Sequence, residues 1–201
     1  MRVETRSSVD TTALSLVSRN TTVVRAPERV ETLRLVIRRP RPDDVNDIFV
    51  SYASDPDVAK YLSWPVHVSL DQTRAFLAFS DREWSRWPAG PYLVFLRDDG
   101  RLVGGTGLAF KTRNRAETGY VLAKDAWGKG YATEALQAMV DVAREIGLSR
   151  VQALCHVDHR PSAHVLEKCG FRRERLLRRF SEFPNLAAGV PADVLCYVRL
   201  F

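Results

Sequence analysis

The run Trp127-Gly128-Lys129-Gly130-Tyr131-Ala132-Thr133-Glu134-Ala135-Leu136 constrains the fold of this chain more than any other stretch. It sets a glycine-rich turn against the head of an amphipathic segment, and it follows an apolar, strand-like run, Gly119-Tyr120-Val121-Leu122. Beyond the turn, Ala132, Ala135, Leu136, Met139, Val140, Ala143 and Ile146 recur at three- and four-residue steps, while Glu134, Gln137, Asp141, Arg144 and Glu145 fall mostly on the other side. That period is helical, and Gly147 is placed to end the helix. A strand, a tight turn and a helix head without a capping side chain leave several backbone N–H groups facing outward. With the positive end of the helix dipole, those donors suit a phosphate or pyrophosphate. Small residues at Gly128, Gly130 and Ala132 let such a ligand approach the backbone closely. A glycine turn also opens helices that bind nothing, so the pattern alone leaves both readings open. The dinucleotide fingerprint does not fit, because its third glycine and distal acidic residue are missing, and the phosphate-loop NTPase sequence is absent.

Strands and helices alternate along the rest of the chain, which points to one α/β (α+β) domain. Residues 33–38 alternate as a strand, and Asp43 and Asp44 after Pro42 start a helix reaching about Ser54. Ser69-Leu70-Asp71-Gln72 fits a capping box opening a helix with Phe76, Leu77 and Trp84, which Ala89-Gly90-Pro91 ends. Residues 92–97 and 102–110 form a hairpin about Asp98-Asp99-Gly100, and residues 117–122 are the next strand. Residues 151–156 form a strand, Pro161 suits the start of a helix ending near Cys169-Gly170, and residues 171–180 and 193–201 supply the last strands.

The chain has 201 residues, 45% hydrophobic and 27% charged, enough for one ordinary domain with a real core. No apolar run approaches a membrane span, and residues 1–30, rich in Ser, Thr, Val and Arg, read as a disordered extension without a secretory signal. Cys155, Cys169 and Cys196 are an odd set without metal-like pairing. Free buried thiols in a reducing cytoplasm are the simplest account, and no metal site is expected. Net charge is +6, with the densest basic run at Arg172, Arg173, Arg175, Arg178 and Arg179. That run is read as a solvated strand face, or as an attractor of an anionic ligand or ribosome-like surface. No nucleic-acid motif accompanies it.

Read from Trp127, the glycine turn has the form x-x-x-Gly130-x-Ala132. It resembles the pyrophosphate loop of the GCN5-related N-acetyltransferases (GNAT), whose usual pattern is Gln/Arg-x-x-Gly-x-Gly/Ala. Trp127 at the first position looks like the branch of the ribosomal-protein N-terminal acetyltransferases (RimJ/RimL type). Glu31-Thr32-Leu33-Arg34-Leu35 is similar to that branch's opening, and residues 158–171 are similar to its Asn-x-x-Ser…Leu-Glu-Lys-x-Gly-Phe segment. The resemblance covers residues 31–201. It implies a single GNAT-like domain: a mixed, mostly antiparallel sheet of about seven strands, a splayed parallel central pair, and about four flanking helices.

The resemblance also implies acetyl-CoA as acyl donor. Residues 117–122 and 151–156 would be the splayed pair, with the pantetheine arm between them. The backbone around Leu122 would bond that arm or the acetyl carbonyl, and the segment Trp127, Gly128, Lys129, Gly130, Tyr131, Ala132 and Thr133 would hold the pyrophosphate. Ser162 matches the family's serine, and His159 stands where the family has asparagine. For a base to receive the amine's proton, Glu117 on the flanking strand is the candidate; for an acid toward the departing thiolate, Ser162. Each has a plainer reading: a surface glutamate paired with Arg113 or Arg115, and a first-turn serine bonding the backbone. Tyr61, Trp64, Trp84 and Trp87, with the Phe183-Pro184-Asn185 loop, are candidates to line the acceptor cleft. The expected reaction is transfer to a primary amine in a ternary complex, by a monomer or homodimer. Protein or peptide N-termini are the first acceptor class, with aminoglycosides or polyamines as an alternative. A non-catalytic acyl-CoA-binding protein is the other.

Overall fold

The computed structural model describes residues 24–201. Eight strands lie in one sheet in the order β1-β2-β3-β4-β5-β6-β8-β7. They are β1 (Arg29–Glu31), β2 (Leu35–Arg38), β3 (Pro91–Leu96), β4 (Leu102–Thr112), β5 (Arg115–Leu122), β6 (Arg150–His156), β7 (Arg172–Glu182) and β8 (Pro191–Leu200). Every neighbouring pair is antiparallel except β5–β6. The helices are α1 (Val45–Ile48), α2 (Pro56–Ala59), α3 (Leu70–Arg86), α4 (Tyr131–Glu145) and α5 (Arg160–Lys168).

Two differences from the sequence expectation have simple causes. The additional strand is β1, whose first two residues, Arg29 and Val30, lie inside the segment expected as a disordered extension. Ala26 is buried, and the Tyr92 hydroxyl donates to Pro27 O at 2.8 Å. Residues 29–31 pair with β2, so the described part of the expected extension belongs to the fold; residues 1–23 lie outside the described residues. The helix expected over residues 43–54 is instead three short turns, a 3-10 turn at Pro42–Asp44, then α1, then a wider π turn at Phe49–Ala53. Asp44 is drawn into a buried pair with Arg38, at 2.6 and 2.8 Å, and accepts from Arg41 N at 2.6 Å. Its carboxylate is thereby committed to fastening the turn to β2.

The sheet has a covered face on each side. Leu136, Met139, Val140 and Ala143 of α4 pack on one face with Ala116, Leu122, Val151 and Cys155. Ile48, Tyr52, Ala53 and Val58 pack on the other with Leu93, Phe95 and Ala123. Because side chains alternate across a strand, Ala116, Tyr120 and Leu122 of β5 face α4. Glu117 and Val121 face the α1–α2 side, where Val121 packs.

The parallel pair opens. β5 and β6 are in register only at Arg115↔Arg150, Ala116↔Val151 and Glu117↔Gln152. Beyond that rung β5 stays on β4 as far as Leu122, and β6 stays on β8 as far as His156. The strands therefore diverge into a V whose open end lies at Leu122 and His156, beside the heads of α4 and α5.

Candidate active site

At the mouth of the V the chain turns through Gly128 (φ 73) and Gly130 (φ 81) into α4. Both backbones are left-handed, where a side chain is strained and glycine is not. Gly130 is the N-cap of α4 and no side chain caps it. The first amide to enter the helix ladder is Glu134 N, bonded to Gly130 O at 3.1 Å. The amides of residues 128–133 have no hydrogen-bond partner among the described residues. A row of free donors at a helix head, with backbone approachable at two glycines, fits a diphosphate.

The turn is braced from behind. The Arg34 guanidinium donates to Lys129 O at 2.9 Å and to Glu134 at 2.7 Å, and it lies 4.7 Å from the centre of the Tyr131 ring. Glu134 also accepts from the Thr32 hydroxyl at 2.6 Å and from Arg34 N at 2.8 Å. The two sequence motifs at residues 31–35 and 127–136 are therefore one structural unit. Burial pushes the Glu134 carboxyl up, but the bonds from Thr32 and Arg34 outweigh it and hold the group below its ordinary value. A carboxyl depressed on folding stabilises above its unfolded pKa, near ~4.3, and loses that contribution as pH falls through the folded value. Glu134→Gln should thus cost about 1–3 kcal/mol at pH 7, with the gap closing toward pH 3. Thermal unfolding of both proteins across that range checks it; a gap that does not change with pH would take the charge out of the brace.

Glu117 sits on the last paired rung, at the root of the V. Its Oε2 accepts from Gln152 Nε2 at 3.2 Å and lies 3.6 Å from Lys111 Nζ. Neither Arg113 nor Arg115 pairs with it; the cation is Lys111 from β4. Within the open part, Tyr120 reaches from β5 to α5. Its hydroxyl can donate to Ser162 O at 3.0 Å and lies 2.9 Å from Ser162 Oγ. In the second contact either hydroxyl can be the donor, so the neutral phenol can support the serine while its own proton faces the cleft. Burial, first among the causes, raises the Tyr120 pKa well above the usual tyrosine value and keeps the phenol neutral. Tyr120 carried no motif of its own; its place on the α4-facing side of a splayed strand was the available signal. At the other end of β5, Trp127 Nε1 donates to Leu122 O at 2.8 Å, leaving its ring 47% exposed at the mouth.

His159 is the N-cap of α5: its Nδ1 accepts from Ser162 N at 3.0 Å. Burial lowers its pKa below the usual histidine value. It can therefore replace an asparagine as a cap. Its ring meets Tyr61 edge-on at 4.6 Å, and Tyr61 in turn lies 5.1 Å from the His156 ring.

The side expected to face the acceptor is closed by a clasp from the Phe183-Pro184-Asn185 loop. Asn185 Oδ1 accepts from Val66 N at 2.9 Å, while its Nδ2 donates to Ala59 O at 2.7 Å and Trp64 O at 2.9 Å. One side chain thus sews the β7–β8 loop to the segment after α2. Phe183 of the same loop stands edge-on to His156 at 4.8 Å. Tyr61 belongs to this wall, and Trp64 touches it through its carbonyl. Trp84 and Trp87 do not: Trp84 is 1% exposed and donates to Pro91 O at 2.8 Å, and Trp87 stacks on Phe110 at 5.3 Å. Both serve the packing of α3, as aromatic residues at helical spacing commonly do. The basic run on β7 is paired or solvated, with Arg178 on Asp193 at 2.8 Å and Arg175 3.7 Å from Glu174.

Comparison with known proteins agrees with this geometry. The family model described as acetyltransferase (GNAT) domain matches residues 34–172. The N-acetyltransferase YoaA of Bacillus subtilis, itself uncharacterised, is 32% identical over 178 residues, covering 84% of this chain and 94% of that protein. The solved GNAT-family acetyltransferase of Bacillus anthracis is 29% identical, with a TM-score of 0.75 over 86% of this chain and 98% of its own. RimL, a ribosomal L7/L12 alpha-N-protein acetyltransferase solved with coenzyme A, shares the fold at 23% identity, with a TM-score of 0.76 over 87% of this chain and 98% of its own. With most of its length under the family's own model and a relative above 30% identity matched nearly end to end, this chain belongs to the GNAT acetyltransferases and is an N-acetyltransferase.

Proposed function

We propose that the protein moves an acetyl group from acetyl-CoA to a primary amine, with the N-terminus of a peptide or protein as the first acceptor class. The observation that carries the proposal is the row of unpartnered amides at residues 128–133, set at the mouth of a V opened between β5 and β6. A diphosphate held there leaves the V for the pantetheine arm and brings the acyl end beside Ser162. The RimL neighbour, solved with coenzyme A, supports the same cofactor. Acetyl-CoA supplies the thioester carbonyl that the amine attacks; the chain's own residues position the reactants and handle protons.

The amides of residues 128–133 bind the diphosphate, and Lys129 adds positive charge beside it. Glu117, at the root of the V, takes the proton of the acceptor amine through water. Ser162, held by Tyr120, delivers a proton to the departing sulfur. An α-amine has an intrinsic pKa near ~8, against about 10.4 for lysine, so more of it is neutral at pH 7 and ready to attack. That difference, with RimL's printed activity on an alpha-N-protein terminus, favours peptide or protein N-termini, and a ribosomal surface is one place to find them. No helix among the described residues is long and apolar enough to cross a membrane. Three buried free thiols suit a reducing compartment, and we place the protein in the cytoplasm.

The test is a competition with acetyl-CoA among peptides with free or blocked N-termini, lysine peptides, aminoglycosides and polyamines, read by mass spectrometry. Free N-termini should take the label first. Efficient acetylation of an aminoglycoside or polyamine with no peptide product would replace the acceptor class; acetyl-CoA binding with no product on any amine would leave a binding protein.

A further inference from the structure

We infer that His156 and His159 form a pair of neutral hydrogen-bond donors that read an oxygen on the acceptor, so that the substrate class is amines carrying a carbonyl or carboxylate next to the reacting nitrogen. This rests on the N-acetyltransfer reading above and narrows it.

Both rings stand at the open end of the V, His156 as the last residue of β6 and His159 at the head of α5. In each, Nδ1 is committed to a backbone amide. Asp158 N donates to His156 Nδ1 at 3.1 Å, and Ser162 N donates to His159 Nδ1 at 3.0 Å. A neutral imidazole has one acceptor nitrogen and one N–H. With Nδ1 accepting, the proton is on Nε2 in both residues. Neither Nε2 has a partner among the described residues, and neither is sealed from solvent, since Ser80 Oγ is the one buried side-chain polar atom there without a bond. The Asp158 carboxylate lies 3.8 Å from His156 Nδ1, too far for a hydrogen bond, and its side chain is 76% exposed. The nearer amide decides the tautomer. Tyr61 packs against both rings, and Phe183 stands against His156, so the ring planes are fixed.

Two fixed N–H donors, open to solvent and without a carboxylate between them, suit an acceptor atom on a bound ligand. A peptide N-terminus or an amino acid offers one, because the carbon bearing the amine also bears a C=O. A polyamine offers only further amines, protonated at neutral pH and unable to accept. The same tautomers bar either histidine from serving as a base at Nε2, which already holds its proton. The burial that lowers the His159 pKa acts in the same direction, keeping the ring neutral.

The experiment compares kcat/KM for glycinamide, glycine and propargylamine, the last an amine of comparable basicity to glycinamide with no oxygen. Glycinamide and glycine separate carbonyl from carboxylate recognition. The wild type should favour at least one oxygen-bearing amine over propargylamine tenfold or more. His159→Asp keeps an acceptor for Ser162 N but removes the donor, and should erase most of that preference; His159→Asn keeps both and should retain it. Nitrogen-15 spectra of the imidazoles should show Nε2–H at both histidines at neutral pH. Equal rates on all three amines, a preference that survives His159→Asp, or an Nδ1–H ring at either position would overturn the inference while leaving N-acetyltransfer intact. No transfer to any amine, with no acetyl-CoA binding by calorimetry, would instead remove the reading on which it rests.

Discussion

Gly130→Val is expected to lower acetyl-CoA affinity by at least 10²-fold, about 2.7 kcal/mol. Starting from micromolar binding, near −8 kcal/mol, that takes the complex out of easy calorimetric range. Two effects combine. A Cβ at residue 130 would sit 3.4 Å from Arg34 Nη2, in the brace itself, and valine's branches would cover amides that a diphosphate must reach. The backbone there also has φ 81, where a β-branched residue is strained by roughly 1–2 kcal/mol. That strain is small against a domain stability of about 5–15 kcal/mol, so the sheet should remain folded while the turn relaxes. Gly147 provides the control. It lies at the other end of the same helix with φ 76 and nothing within 4 Å of an added Cβ. Gly147→Val carries the same backbone strain away from the mouth of the V. Calorimetry and thermal melts on both variants decide the matter. Unchanged affinity in folded Gly130→Val sinks the diphosphate assignment, and equal loss in Gly147→Val assigns the effect to strain.

The turn and α4 were legible because their physics is local. Left-handed backbone selects glycine, and a buried helix face repeats every three or four residues, so Gly128, Gly130 and the apolar positions from Ala132 onward declare themselves. The head of α5 was half legible: Pro161 marked the start, but the capping role of His159 needed the geometry of its ring. The Ser69–Gln72 signal had the right place and a different detail. Gln72 accepts from Val68 N at 2.6 Å, and the Ser69 side chain makes no capping bond. β1 could not be read, because three residues are too few to show alternation. The V itself is a tertiary event, since nothing in residues 117–122 says that pairing to β6 stops at Glu117. It came from the resemblance alone. Tyr120 on Ser162, Asn185 on Val66 and Gln152 on Glu117 join residues far apart in the chain, where no spacing rule applies. The failed expectation for Trp84 and Trp87 has the same origin, because helical spacing places aromatic residues on one face without saying what that face meets.

The joining of residues 31–35 to residues 127–136 shows why a motif can be split along a chain. Free amides are useful only if the turn keeps its shape without bonding them internally. Thr32 and Arg34 supply that support from outside, through Glu134 and Lys129 O, so the donors of the turn stay unspent. Removing the brace and removing the glycines should therefore have different signatures. The first lowers stability in a pH-dependent way, and the second removes binding at every pH.

Glu117→Gln is expected to lower turnover by roughly 10²-fold or more while leaving acetyl-CoA affinity unchanged. The carboxylate stands at the rung where β5 and β6 part, on the face away from α4, so it is at the root of the V and remote from the diphosphate turn. Its Oε2 is engaged by Gln152 and faces Lys111. Its Oε1 bonds nothing among the described residues and is the oxygen left to receive a proton. Glutamine preserves the size of the side chain and an acceptor for Gln152, but it cannot hold a transferred proton. Measuring kcat and kcat/KM with a peptide acceptor, beside calorimetry of acetyl-CoA, checks it. Wild-type turnover in the variant would take Glu117 out of the mechanism. The proton would then pass to water, because the hydrogen bond from Ser162 N to Nδ1 leaves His159 with no nitrogen free to accept it.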